Sequence, residues 1–248
     1  MIHAFRAALL IAAILAAWQL LYGFAGPGAL SSPLDTVAHT FQLLSSPRFY
    51  PHLIETAQAF AVALGIAISC GILIGFTLGL YRFASEVAEP VLVALYSIPK
   101  ITLYPIVLLA FGIGMPAKIA FGAIHGIIPV AIFALGAVRN LNPIYLKAAR
   151  VMRMPASRIA TRVLLPAAVP EIFTGIRIGF SLTLIGTLLG EMFASQRGLG
   201  LLLIQAIGLH NIRQIMALTL LLVVIAVTAS AALLAVDRRL RRHMFGAG

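Results

Sequence analysis

Residues 142–165, NPIYLKAARVMRMPASRIATRVLL, are too polar to cross a bilayer and too regular in their apolar spacing to form an irregular loop. Asn142 can cap a helix, and Pro143 suits the first helical position, where a missing N–H costs nothing. Tyr145, Leu146, Ala149 and Met152 then fall on one side of that helix. Met154 and Pro155 interrupt the pattern, Ser157 resumes it, and Leu165 meets Pro166. The spacing predicts two short amphipathic helices forming a hairpin at the membrane surface.

The flanks are what make it a membrane surface. A spanning helix needs about 20 apolar residues, because the hydrocarbon core is about 30 Å thick and each residue rises about 1.5 Å. Ala117–Val138 before the hairpin and Ile172–Ala194 after it meet that requirement. Further out lie Ala7–Phe24, Phe60–Leu80, Pro90–Phe111 and Ile215–Val236, which makes six spans, the third interrupted by Pro99 and Pro105. With 61% hydrophobic residues, a mean hydropathy of +1.05 and 10% charged residues, the chain departs from soluble domains, where about 25% are charged. The fold class expected is an all-α polytopic membrane protein, a single transmembrane domain over residues 1–248. A net charge of +11 would point to nucleic acid in a polar chain. Here the basic residues lie between spans, so the charge reports topology, membrane lipid is the expected surrounding and no nucleic-acid partner is implied. A lone Cys70 leaves no disulfide framework and no thiolate cluster.

Cytoplasmic loops retain Lys and Arg. With the N-terminus inside, only Arg48, Lys118, Arg197 and Arg213 face outward and Lys100 falls within the third span; the remaining basic residues, Arg177, Arg241 and Arg242 among them, are cytoplasmic. Both termini are therefore expected inside. Arg6, the following Ala/Leu run and Gly23, Phe24 and Ala25 also fit a secretory signal peptide, although the length of the run, Trp18 and Gln19 favour a retained span. In the outer segment, Ser32, Pro33 and Asp35 form a helix-start signature for a short helix to about Leu44.

Composition alone leaves the hairpin as either a basic helix resting on anionic lipid or a docking surface for a protein. The run KAARVMRMPASRIATRVLLPAAVPEIFTGIRIG resembles the EAA loop of permease subunits from binding-protein-dependent ABC importers. In that pattern Glu-Ala-Ala is followed by a turn Gly and later by Leu-Pro. Lys147, Ala148 and Ala149 take the Glu-Ala-Ala places, and Pro166 stands nineteen residues after Lys147. SSPLDTVAHTFQLL, PVLVALYSIPKITLYPIVLLAFGIGMPAKI and GEMFASQRGLGLLL extend the similarity to the nitrate, sulfonate and taurine branch. The resemblance implies a type I importer permease in a bacterial inner membrane, with two permease subunits (here two copies of this chain) forming the pathway. It further implies two ATPase subunits docking on the loops and a periplasmic or extracellular protein delivering a small polar, anionic solute such as a sulfonate, nitrate, taurine or a carboxylate. Lys147, Ala148, Ala149, Arg150, Arg153, Pro155 and Pro166 are then the ATPase-coupling residues. Two positions depart from the pattern: Lys147 reverses the acidic charge, and Arg153 stands where Gly would permit a positive φ, leaving Pro155 to supply the turn.

Within the spans, an ionisable residue is by default a functional candidate, because a cation at the bilayer centre costs about 2.5–3.5 kcal/mol. Lys100 follows the helix-breaking Pro99, with Tyr96 and Tyr104 nearby; it serves either the pathway or a structural ion pair. His125 lies between Gly122 and Gly126, small enough to admit a neighbouring helix, and Glu191 closes the fifth span. Tyr96, Lys100, His125 and Glu191 are the candidate pathway residues, whereas Glu55, Glu86 and Glu89 are expected to face solvent. The His spacings suit no metal site, there is no G-x-S-x-G elbow, and no G-x-x-x-x-G-K-[ST] phosphate loop occurs. The chain is read as no enzyme and as carrying no cofactor, ATP and Mg belonging to the partner ATPase. A stand-alone secondary transporter is the alternative, for which buried acidic residues and an internal repeat are expected; an anchor recruiting a cytosolic protein is the third reading.

Overall fold

A computed structural model describes residues 2–193 and 195–245, with side chains for all of these except 2–4, 7, 146, 150, 156 and 240–245. Among the described residues all regular structure is helical. The elements are α1 (Ile2–Ala25), α2 (Pro33–Ser45), α3 (Tyr50–Gly79), α4 (Arg82–Ser97), α5 (Tyr104–Phe111), α6 (Met115–Arg139), α7 (Pro143–Val151), α8 (Ala156–Ile159), α9 (Leu165–Phe193), α10 (Leu199–Gly208) and α11 (Ile212–Phe245).

The core is α6 held between α3 and α9. In lipid no hydrophobic force drives helices together, so close backbone approach through small residues supplies the packing. On α3, Ala59, Ala63, Ala67, Gly71 and Gly75 recur every fourth residue, and all are buried. They meet α6 at positions such as Gly126, where an added Cβ would lie 2.7 Å from the Ala67 Cβ, too close to accommodate. At the end of the core beside α7, Ala134, Ala137 and Val138 of α6 pack on Ala168 and Ile172 of α9. Near the opposite end, Phe121 packs on Tyr104 and Val107 of α5. Apolar α1 lies outside this core, with none of its described side chains buried and the Trp18 Nε1 donating to the Ser31 carbonyl at 3.1 Å.

Among the described residues five helices are long and apolar enough to cross a membrane, and the α4–α5 pair makes a sixth as one broken span. The start of α2 is as expected: Ser32 accepts from the Asp35 N–H at 3.1 Å and Pro33 opens the helix. The third span differs. It begins at Arg82, not Pro90, and bends by 85° at Pro99. A residue before proline is driven out of the helical region, and Ile98 is extended at ψ 133°. A single 3₁₀ turn, Lys100–Leu103, then leads into α5. Pro105 breaks nothing there, because it occupies the first turn of α5, where its lack of an N–H is harmless.

The expected hairpin is also corrected. Its second arm is the beginning of the fifth span, since helix runs continuously over Ser157–Phe193. Pro166 is accommodated because Ala160–Leu164 is π-helical, the Leu165 N–H reaching back to the Ala160 carbonyl. That wider turn relieves the clash between the proline ring and the carbonyl four residues before it. Ala194, the expected end of this span, lies outside the described residues.

Candidate functional site

The loop between α6 and α9 is built from local signals. Asn142 Oδ1 accepts from the Ile144 N–H at 3.0 Å, capping α7. At its other end the Met154 N–H donates to the Ala149 carbonyl at 3.1 Å and Arg153 sits at φ +50°. This is the left-handed helix stop that glycine usually provides. Arg153 itself thus makes the turn expected of Pro155; the Pro155 carbonyl instead accepts from the Arg158 and Ile159 N–H groups and opens α8. Ala149 is buried, whereas Lys147 and Ala148 are exposed. Exposed with them are Ile144, Tyr145, Val151 and Met152, an apolar surface turned away from the core. Pro166 is exposed within the continuous helix, and the Arg150 side chain lies outside those described, as do those of Arg241 and Arg242.

At the α4–α5 break, Lys100 Nζ donates to the Tyr96 carbonyl at 3.0 Å and lies 5.1 Å from the Tyr96 ring centroid. Among the described residues no carboxylate comes within ion-pair distance of it. The carbonyls freed by the break and the ring face supply partners to the ammonium. Tyr96 is 42% exposed.

Glu191 stands apart from these two. It is wholly buried, accepting from the Thr56 hydroxyl at 2.8 Å and the Gly200 N–H at 2.9 Å, with Lys118 Nζ 4.0 Å away. Lys118, expected to be an outward-facing loop residue, is likewise wholly buried. Its ammonium donates to Glu55 at 2.9 Å and to the Arg197 carbonyl at 2.8 Å. Glu55 is therefore a partner in this cluster and not a free surface carboxylate. Glu86 and Glu89 pair as well, with Arg82 and Arg139. The Leu199 N–H donates to Thr56 Oγ1 at 2.8 Å and the Gly198 N–H to His52 Nδ1 at 3.1 Å. The first N–H groups of α10 are thus capped by side chains of α3 and α9. Gly198, at φ +135°, lies against the Glu191 carboxylate, where a side chain would not fit.

His125 is buried on α6. Its Nδ1 is 2.8 Å from the Phe121 carbonyl, which only a protonated Nδ1 can satisfy, and its ring packs against Phe121 and Gly186. The four intramembrane candidates therefore do not form one constellation. Tyr96 and Lys100 share the break, Glu191 belongs to the α10-end cluster and His125 to the helix packing.

Two features escaped the sequence. The first is the Lys118 cluster. Its signal was a cation in the first turn of α6, where the helix dipole opposes it and a nearby carboxylate is required. The second is the pairing of Arg177, which was placed above on the cytoplasmic side. It lies well inside α9, about 24 Å from Phe193 at the helical rise. Arg177 Nη1 is 3.5 Å from Asp237 of α11, and its buried Nε has no hydrogen-bond partner.

Comparison with known proteins agrees with this architecture. Residues 67–245 match the family described as binding-protein-dependent transport system inner membrane component. The nitrate import permease protein NrtB of Synechocystis sp. is 30% identical over 208 residues, covering 79% of this chain and 74% of that protein. The taurine transport system permease protein TauC of Escherichia coli is 28% identical over 191 residues, covering 77% and 70%. A chain of the inward-facing MetNI methionine ABC transporter superposes with a TM-score of 0.57 at 22% identity, covering 77% of this chain and 93% of that one, a likeness of fold. With a family match spanning most of its length, the chain belongs to the binding-protein-dependent transport system inner membrane components, the permease subunits of ABC transporters.

Proposed function

We propose that this chain is the pathway-forming subunit of an ABC importer that moves a small anionic solute inward by alternating access. Two copies surround the pathway, both termini and the α7 loop face the cytoplasm, and the membrane is a bacterial inner membrane. The solute arrives on a periplasmic or extracellular binding protein, and the similarity to nitrate and taurine permeases supports its anionic class. ATP and Mg are handled by a separate ATPase dimer. The observation that carries the reading is α7 itself: a capped helix presenting Ile144, Val151 and Met152 to solvent beside Lys147, anchored to the span through buried Ala149. An exposed apolar patch on a basic helix fits a protein groove, and its short link to α9 passes movement of the groove to a pathway helix.

Co-expression with the cognate ATPase, followed by reconstitution in liposomes with the binding protein, tests this. Hydrolysis stimulated by loaded binding protein, and lost together with ATPase association in Ile144→Asp and Val151→Asp while the chain stays in the membrane, is the expected result. Uptake by the isolated chain driven by an ion gradient would overturn it.

A further inference from the structure

Beyond Tyr96 the structure holds an open cavity of about 360 Å³ between α4, α9 and α11, in which Arg177 and the hydroxyls of Tyr96, Thr174, Ser181 and Ser230 stand among apolar surface from Ile178 and Leu182. We infer that this cavity is a transient binding site for a small oxyanion, with Arg177 as its anchor and the hydroxyls as further donors. The inference rests on the importer reading above and deepens it by locating where the solute is held.

Three observations carry it. The first is chemistry: a guanidinium offers five donors in a planar fork suited to carboxylate, nitrate or sulfonate oxygens, and hydroxyls can turn to donate. The second is incomplete neutralisation. Asp237 engages Arg177 at 3.5 Å, longer than a charge-assisted pair of about 2.7–2.9 Å. The guanidinium keeps an unsatisfied buried Nε, although a third of the side chain is accessible. The third is position. Arg177 lies on a membrane-spanning helix and lines the cavity, and a cation in a span is tolerated when it faces a water-filled cavity. Lys100, beside Tyr96, places a second positive charge next to the same wall.

The test replaces Cys70 with Ala and places one cysteine at Ser230 or Ser181, both exposed to the cavity. Labelling rates are compared for a sulfonatoethyl and a trimethylammonioethyl methanethiosulfonate, using the assembled complex in liposomes. The sulfonate reagent should be favoured about tenfold over its ratio at a free thiol, the focusing expected of a cleft with Arg177 on its lining and Lys100 beside its wall. Millimolar nitrate or methanesulfonate should slow labelling, and neutral methanesulfonamide should not. Arg177→Gln should abolish the preference, Arg177→Lys should keep most of it, and Asp237→Asn should raise it. If Arg177→Gln leaves the ratio unchanged, or if it and Asp237→Asn only lower thermal stability to the same extent, Arg177 is a structural partner and the inference is overturned. ATPase association, measured on the same preparations, separates the two claims. Normal coupling without charge preference removes the site alone, and charge preference without an ATPase removes the importer reading alone.

Discussion

Glu191 and Lys100 are both ionisable residues of the spans, and their surroundings differ. Glu191 is enclosed by Thr56, the Gly200 N–H and Lys118, so its buried carboxylate is held by fixed protein partners. Removing one member of such a buried cluster leaves another charge uncompensated, which costs about 3–5 kcal/mol. Glu191→Ala should therefore lower the stability of the purified complex by about that amount, with Glu191→Gln milder because it retains the hydrogen bond from Thr56; unfolding followed by temperature in detergent would show it. An unchanged midpoint for Glu191→Ala would remove the cluster's structural role. Among the described residues Lys100 has the Tyr96 carbonyl and ring as partners and no carboxylate. Lys100→Met orphans no carboxylate, so it should reduce uptake while leaving assembly and thermal midpoint nearly intact. Normal uptake, or a stability loss large enough to explain the defect, would contradict a pathway role.

The α7 loop concentrates the local departures from its family. Arg153 holds φ +50°, a conformation that costs a non-glycine residue about 1–2 kcal/mol. Arg153→Gly should stabilise the turn by about 1 kcal/mol, seen as slower exchange of the Met154 amide, which donates across it. A decrease in protection would mean that the Arg153 side chain holds the turn through contacts of its own. Lys147→Glu restores the family residue on an exposed site; ATPase association should weaken if the partner groove has adapted to a basic loop, and equal binding across a salt series would exclude that adaptation. The starts of α2 and α7 were legible in the sequence because Ser32 and Asn142 cap residues two and three positions away. The start of α10 was not, because its caps come from Thr56, His52 and Glu191, distant in sequence. The fusion of α8 into α9 was hidden for a different reason: Pro166 ordinarily ends a helix, and only a π turn upstream lets it pass. The pairing of Arg177 with Asp237 was hidden for yet another reason, since the two stand on different spans far apart in sequence.

At the scale of the molecule, α6 is held between α3 and α9, and on the proposed function one chain supplies one wall of a pathway, one α7 surface and one Arg177 cavity. A closed two-fold pairing of the chain would supply the second of each. The account stands on the claim that this chain pairs with itself and carries an ATPase on each α7 loop. Native mass spectrometry of the complex, isolated through a tag on this chain after co-expression with the ATPase, tests that directly. The spectrum should show two copies of this chain with two ATPase subunits, and Val151→Asp should reduce it to the chain without ATPase. A single copy joined to a different permease, or an assembly that never holds an ATPase, would contradict it.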